Sequence, residues 1–242
     1  MPLLPCEQNG SPAGVLIKTT LVDYPGRVAA AFFVEGCNLR CPYCYNSDLV
    51  VKNRKYEAVS AADVLFHLKR RRNVLSGFVI SGGEPLLYDS LEELIMQARG
   101  LGYNIKLDTN GMCADRLKRI ISSAACPDFI ALDVKTSPSR YTMLGSAADT
   151  AAGAICSSIQ MVSALAPAQR EFRTVLVPSL IQKKDIEEIA SLLPKDASWM
   201  FAPFVPGGCI DARYNDLLPY TDAQLNELVS YARRYIPGAQ LR

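Results

Sequence analysis

The chain has one histidine and one tryptophan in 242 residues, no wholly apolar run longer than Val28 to Val34, and no long block of charge of either sign. Each absence excludes something. A single histidine, His67, gives little support to acid-base catalysis of the imidazole kind. An apolar run as short as 28–34 falls far below the roughly 20 residues that a membrane-spanning helix needs. Met1 to Ser11 holds no basic stretch followed by an apolar one, so it does not read as a secretory signal. A net charge of +2, with 21% charged residues, predicts neither a nucleic-acid groove nor a membrane-binding surface through bulk electrostatics. The expectation is a cytoplasmic protein without membrane or nucleic-acid partners.

What is present is ample apolar material, 49% of residues, enough to bury the core of one large α/β domain or two smaller ones. Strand-type runs occur at Val28 to Val34, Gly77 to Ser81, Asn104 to Asp108, Phe129 to Asp133, Glu171 to Val177 and Ser198 to Phe204. Helical periodicity lies between them: Ala61, Val64, Leu65 and Leu68 share one face, as do Leu225, Leu228, Val229, Ala232, Tyr235 and Ile236. Thr221 with Gln224 forms a capping box that opens the last helix. Lys69 to Arg72 close a helix at the negative end of its dipole. Repeated βα units predict a parallel sheet with right-handed crossovers, doubly wound or curled as a barrel. With no low-complexity linker and no repeat, the simplest division is a single domain over 1–242. It comprises a leader over 1–27 that can add a short strand, a core over about 28–204, a plain helix near 147–168, and a terminal helix over about 222–236.

Three of the eight cysteines, Cys37, Cys41 and Cys44, fall in one loop at C-x3-C-x2-C spacing, directly after the first strand run. Iron-sulfur clusters are normally held by four cysteine thiolates, so three of them leave one iron open to something that is not protein. A structural zinc site is the competing reading. It needs four ligands, usually as two close pairs, whereas Cys113, Cys126, Cys156 and Cys209 are scattered singly. A disulfide framework belongs to short secreted chains. Cys209, in Pro206-Gly207-Gly208-Cys209, is expected to be a loop thiol.

The unusual residues fall after successive strands. Cys37 to Cys44 follow the first, Gly82-Gly83-Glu84-Pro85 the second, Thr109-Asn110-Gly111 the third and Asp133-Val134-Lys135 the fourth. The C-terminal rim of a βα barrel carries its active site, so a rim fed by four consecutive strands favours a barrel wall over a single switch point. Six strands rather than eight predict an open, partial (β/α)6 barrel.

The cysteine run with Tyr43 as its aromatic, followed by a strand ending in Ser81-Gly82-Gly83-Glu84-Pro85, resembles the radical S-adenosylmethionine (SAM) enzymes. The resemblance implies one 4Fe-4S cluster on Cys37, Cys41 and Cys44, with the amino and carboxylate groups of SAM on the fourth iron. It also implies SAM contacts from Tyr43, Gly82, Gly83, Glu84, Asp108, Thr109, Asn110, Asp133, Lys135 and Arg173. Gly82 and Gly83 would let backbone approach the methionine part. Asp133 and Lys135 look like the D-x-K element of the activating-enzyme branch, and Arg173 suits a carboxylate bidentately. Reductive cleavage of SAM would release methionine and a 5'-deoxyadenosyl radical that abstracts hydrogen, with no catalytic side chain needed beyond cluster and SAM.

Within that superfamily, Thr20-Leu21-Val22-Asp23-Tyr24-Pro25-Gly26, then Glu35-Gly36-Cys37-Asn38, Cys41-Pro42-Tyr43-Cys44 and Asn46, resemble the activating proteins of anaerobic ribonucleoside-triphosphate reductase. The pyruvate formate-lyase activating enzyme shares the general layout. The resemblance runs from about Gly14 through Phe204 and implies a glycyl-radical enzyme as protein substrate, with flavodoxin or ferredoxin as electron donor. Two positions depart from the pattern: Tyr45 stands where activating enzymes commonly carry histidine, and Ala202-Pro203-Phe204-Val205 replaces a segment ending in histidine. Neither histidine ligates the cluster, so the departures bear on the substrate and not on SAM cleavage. The alternatives are a radical SAM enzyme acting on another glycyl-radical enzyme, a peptide, tRNA or a small molecule, and a non-catalytic iron-sulfur or zinc-binding module.

Overall fold

The computed structural model describes residues 6, 10–51, 56–145 and 148–242. The chain divides into two compact units, the first of residues 1–38, 46–109 and 115–130, the second of 39–45, 110–114 and 131–242.

The first unit is built on β1 (Ala13–Thr20), β2 (Ala29–Val34), β3 (Val59–Ser60), β4 (Gly77–Gly82) and β5 (Asn104–Thr109), in the order β3-β1-β2-β4-β5. β1 runs antiparallel to both β2 and β3, whereas β2, β4 and β5 are parallel. Parallel strands are covered on both faces and so read as continuous apolar runs. β2 is almost wholly buried and contains only Ala, Phe and Val. Helices α1 (Ser47–Val50), α2 (Ala61–Arg71), α3 (Leu91–Gly100) and α4 (Ala114–Ile121) lie along this part of the chain. The start of α2 carries a capping box between Ser60 and Asp63, and its last turn holds Lys69, Arg70 and Arg71, as the charge pattern predicts. Tyr24, Ala29, Ala31 and Val79 form a core cluster against which Phe33 and Phe129 pack.

β6 (Phe129–Asp133) begins in the first unit and ends in the second, which continues through α5 (Ala148–Ser163), β7 (Arg170–Leu176), α6 (Lys183–Leu192), β8 (Trp199–Pro203), α7 (Asp222–Arg233) and β9 (Ala239–Leu241). β7, β8 and β9 are parallel neighbours. Trp199 is fully buried, packs on Phe201 with ring centroids 4.5 Å apart, and donates its indole N–H to Thr174 Oγ1 at 3.0 Å. Such a partner is what makes a buried tryptophan tolerable. β3 is an edge strand of the first unit and β9 of the second, so neither set of strands closes on itself.

All six expected strands are present within about a residue. The leader adds more than a short strand, since β1 is eight residues long. The helix expected over 147–168 stops at Ser163, ahead of a 3-10 turn at Pro167–Gln169. The last helix ends at Arg233 rather than 236, because Pro237 disfavours helical backbone at the residue before it. No helix among the described residues is long and apolar enough to cross a membrane.

Candidate functional site

In the first unit the entry to the cysteine run is fixed by backbone bonding. Gly36 N donates to Leu49 O at 2.9 Å, and Glu84 N donates to Gly36 O at 2.8 Å. The Tyr88 hydroxyl donates to Glu35 O at 2.7 Å. Val34 and Gly82 are register partners at the ends of β2 and β4, so the two loops leave side by side. That proximity explains the glycine pair. Gly82 has φ +104°, and a Cβ there would overlap Val34 N; a Cβ on Gly83 would overlap Gly36 O. Both positions therefore exclude side chains because main chain lies against them.

Glu84 is fully buried, and its Oε1 accepts from Leu86 N at 3.0 Å and from the Thr109 hydroxyl at 2.8 Å. Two expected site residues are thereby joined. Asp108 accepts from the Ser81 hydroxyl at 2.9 Å and pairs with Lys106 Nζ at 2.5 Å. The sequence offers Ser81 only as part of the glycine-pair motif and does not mark Lys106. Lys106 and Asp108 stand two apart on β5, hence on one face, and that spacing was the available signal. Lys106 is 1% exposed, and burial of a lysine demands such a partner.

In the second unit Cys41 O accepts from Cys44 N at 3.0 Å, closing the loop into a tight turn. Cys41 is buried, as is Cys37 in the first unit, while Cys44 is partly exposed. Tyr43 is also buried, and its hydroxyl finds no hydrogen-bond partner among the described residues. Burial, then the nearby Cys41, pushes the Tyr43 phenol well above its ordinary range.

Asp133, Lys135 and Arg173 form one group. Asp133 Oδ2 lies 2.8 Å from Lys135 Nζ, and Oδ1 lies 2.7 Å from Arg173 Nε. The strand end is held by Val134 N donating to Arg173 O at 2.8 Å. Burial alone would raise the Asp133 carboxyl, but Arg173 and then Lys135 outweigh it and hold the group well below the usual carboxylate range. For Lys135, burial works downward and the Asp133 carboxylate carries it well above the usual ammonium value. Asp133 thus takes bonds from two cations at once. Asn110 is buried and its Oδ1 accepts from Met112 N at 2.9 Å, the turn chemistry that its neighbour Gly111, at φ +75°, completes.

Cys209 is a free thiol in a loop, as the sequence suggests. It is buried, with Sγ 3.7 Å from Tyr43 O. His67 lies on α2, its Nε2 3.0 Å from Lys18 O.

These donors fit the cluster and SAM that the resemblance implies. Among the described residues no three His, Cys, Asp or Glu side chains converge as on a single metal ion. A cluster instead takes thiolates spread around an iron-sulfide cube, and three cysteines within eight residues of sequence offer that donor set. The Tyr43 hydroxyl, with no hydrogen-bond partner among the described residues, and the group of Asp133, Lys135 and Arg173 are polar groups of the kind a polar, carboxylate-bearing ligand engages.

Comparison with known proteins agrees. Residues 32–155, half of the chain, match the Radical SAM superfamily. A Methanocaldococcus jannaschii protein, provisionally named a glycyl-radical enzyme activating enzyme, is 28% identical over 235 residues, covering 94% of each chain. The pyruvate formate-lyase-activating enzyme of Streptococcus mutans is 31% identical over 123 residues, 47% of this chain and 46% of that one. The crystal structure of Streptococcus suis SuiB bound to S-adenosylmethionine superposes with a TM-score of 0.59 at 19% identity, over 86% of this chain and 47% of that one. That likeness shows the fold, the open partial barrel expected from the strand pattern. Motif, fold and family match lead to one conclusion: the chain belongs to the radical SAM superfamily.

Proposed function

We propose that this chain is a glycyl-radical enzyme activating enzyme, with Cys37, Cys41 and Cys44 as the three cluster ligands. The observation that carries the reading is the C-x3-C-x2-C run of Cys37, Cys41 and Cys44 directly after the first parallel strand. Similarity along 94% of a relative named for that activity supports it. Membership of the superfamily makes the chain an enzyme that uses a 4Fe-4S cluster and SAM. When bound, these supply homolytic hydrogen abstraction.

The chain's own residues bind and orient. Gly82 and Gly83 keep the backbone of the β4 loop low. The trio of Asp133, Lys135 and Arg173 meets the carboxylate or ribose of SAM, and Asp133 stays ionised across the working pH range. Tyr43 offers its ring and hydroxyl to the adenosine part. Asp108, Thr109 and Asn110, with Glu84 buttressing Thr109, complete the polar contacts.

The substrate in this proposal is a glycine of a large partner enzyme. Tyr45, next to Cys44, is 69% exposed, and a large exposed aromatic beside the ligand motif is the type of residue that anchors protein interfaces. Of the possible partners, the run Thr20 to Gly26 favours an anaerobic ribonucleoside-triphosphate reductase. Flavodoxin or ferredoxin would supply the electron.

The test is anaerobic reconstitution with iron and sulfide, reduction, and addition of SAM with a candidate partner. Formation of 5'-deoxyadenosine together with a glycyl-radical EPR signal on the reductase is the expected result. A signal only on a pyruvate formate-lyase would correct the partner. 5'-Deoxyadenosine without any protein radical would overturn the activating role.

A further inference from the structure

Three successive carbonyls of the cysteine loop are engaged by one segment far away in sequence. Asp211 N donates to Pro42 O at 3.0 Å and Ile210 N donates to Cys44 O at 3.2 Å. Between them, the Cys209 thiol donates to Tyr43 O at 3.7 Å. The segment follows β8 and is shaped to lie there. Gly207 and Gly208 adopt φ +122° and +66°, which turn the chain back as other residues would not. Asn215 Oδ1 accepts from Cys209 N at 2.9 Å, and the Asp211 carboxylate accepts from Arg213 N at 3.0 Å.

A trans peptide is planar, with its C=O and N–H opposed. Holding the carbonyls of residues 42, 43 and 44 toward this segment therefore turns the N–H groups of Tyr43 and Tyr45 the other way, while the Cys44 N–H closes the turn onto Cys41 O. Backbone N–H groups that bond to cluster sulfur are one determinant of a cluster's potential.

We propose that Gly207 to Asp211 is a strap that sets the cysteine loop in its ligating conformation before any cluster is bound, with Cys209 as the positioning residue. The inference rests on the reading of Cys41 and Cys44 as ligands. The strap acts on the loop backbone, so it is testable with and without the cluster.

Amide hydrogen exchange on the cluster-free full chain reads the strap directly. Ile210 and Asp211 should exchange slowly in the native protein and about fivefold faster in Cys209→Ala, the ratio for one neutral hydrogen bond. Cys209→Ser keeps a donor and should restore most of the protection. After reconstitution, Cys209→Ala should release iron to a chelator about fivefold faster and broaden the reduced-cluster EPR spectrum, with Cys209→Ser close to the native protein. Should Cys209→Ala not fold, Asn215→Ala removes the acceptor of Cys209 N and should loosen the same two amides. Unchanged exchange at 210 and 211 in these variants overturns the strap. Faster exchange with unchanged iron release and EPR overturns its role in ligation. A native chain that takes up no cluster instead removes the ligand assignment, and the exchange arm still decides the strap.

Discussion

Gly83 lies so close to Gly36 that a Cβ at position 83 would overlap the Gly36 carbonyl oxygen. Both sides of the clash are main chain, so no flexible side chain can move aside. Gly83→Ala must displace the β4 loop from the segment that leads into Cys37, at a cost of about 3 kcal/mol, the upper part of the overpacking range. Denaturant melts should show that loss. Gly153→Ala is the control: it lies in α5 with nothing within 4 Å of the new methyl, and should stabilise the protein by about 0.5–1 kcal/mol. Equal melts for Gly83→Ala and the native protein would refute the close approach.

Asp133 sits between Lys135 and Arg173, and its removal should cost about 2 kcal/mol at neutral pH. Asp133→Asn leaves two cations adjacent. Because the folded-state carboxyl is depressed, its contribution is present above the unfolded value of about 4 and is lost as pH falls below it toward the folded value. The stability gap between native protein and variant should therefore be largest near pH 7 and narrow by pH 3. For Lys135, raised in the folded state, the contribution is present below about 10.4 and lost as pH rises through the folded value. A gap that widens toward acid would contradict this assignment.

The parts of the fold legible in the sequence are those where burial is uniform. β2, β4, β5, β6, β7 and β8 appear as apolar runs because parallel strands are covered on both faces. β1 is less legible, because only Val15, Leu16 and Ile17 of its eight residues are large and apolar and Lys18, Thr19 and Thr20 follow them. β9 has three residues and β3 two, too few for any periodicity. At the site, local motifs were readable because Cys37, Cys41 and Cys44 or Asp133 and Lys135 are neighbours in sequence. The Cys209 contact was not, since 166 residues separate it from Tyr43. Lys106 is not marked by the sequence, because a lysine in a strand ordinarily sits on an exposed face, whereas here it pairs with Asp108 inside.

Lys106→Ala leaves Asp108 buried without its cation. Breaking a buried pair from one side costs roughly 3–5 kcal/mol, so this variant should melt far earlier than the native protein. Replacing both residues, Lys106→Met with Asp108→Asn, should recover much of the loss, because no uncompensated charge remains. A double variant no more stable than Lys106→Ala would mean that the pair matters for more than charge balance.

Cys41→Ala should abolish cluster uptake while leaving secondary structure unchanged, since a single buried thiol contributes little packing. Iron and sulfide analysis after reconstitution, beside a circular dichroism spectrum, checks both halves. His67→Gln is the complementary case. His67 bonds Lys18 O from a helix face, so 5'-deoxyadenosine formation should stay within about twofold of native, consistent with chemistry that needs no imidazole base. A tenfold loss on that substitution would call for an acid-base step.

Tyr45 separates SAM chemistry from partner recognition. It directly follows Cys44, yet its side chain is 69% exposed, so its loss should leave both cluster and SAM site intact. Tyr45→Ala should keep uncoupled 5'-deoxyadenosine formation within about twofold, while the KM for the partner enzyme rises about tenfold, the effect of losing one aromatic anchor of roughly 1.4 kcal/mol. Tyr45→Phe retains the ring and should behave like the native protein. If Tyr45→Ala lowers SAM cleavage and partner activation equally, Tyr45 belongs to the SAM site, and the protein-facing anchor must be sought elsewhere, first at the exposed Val205 and Leu218.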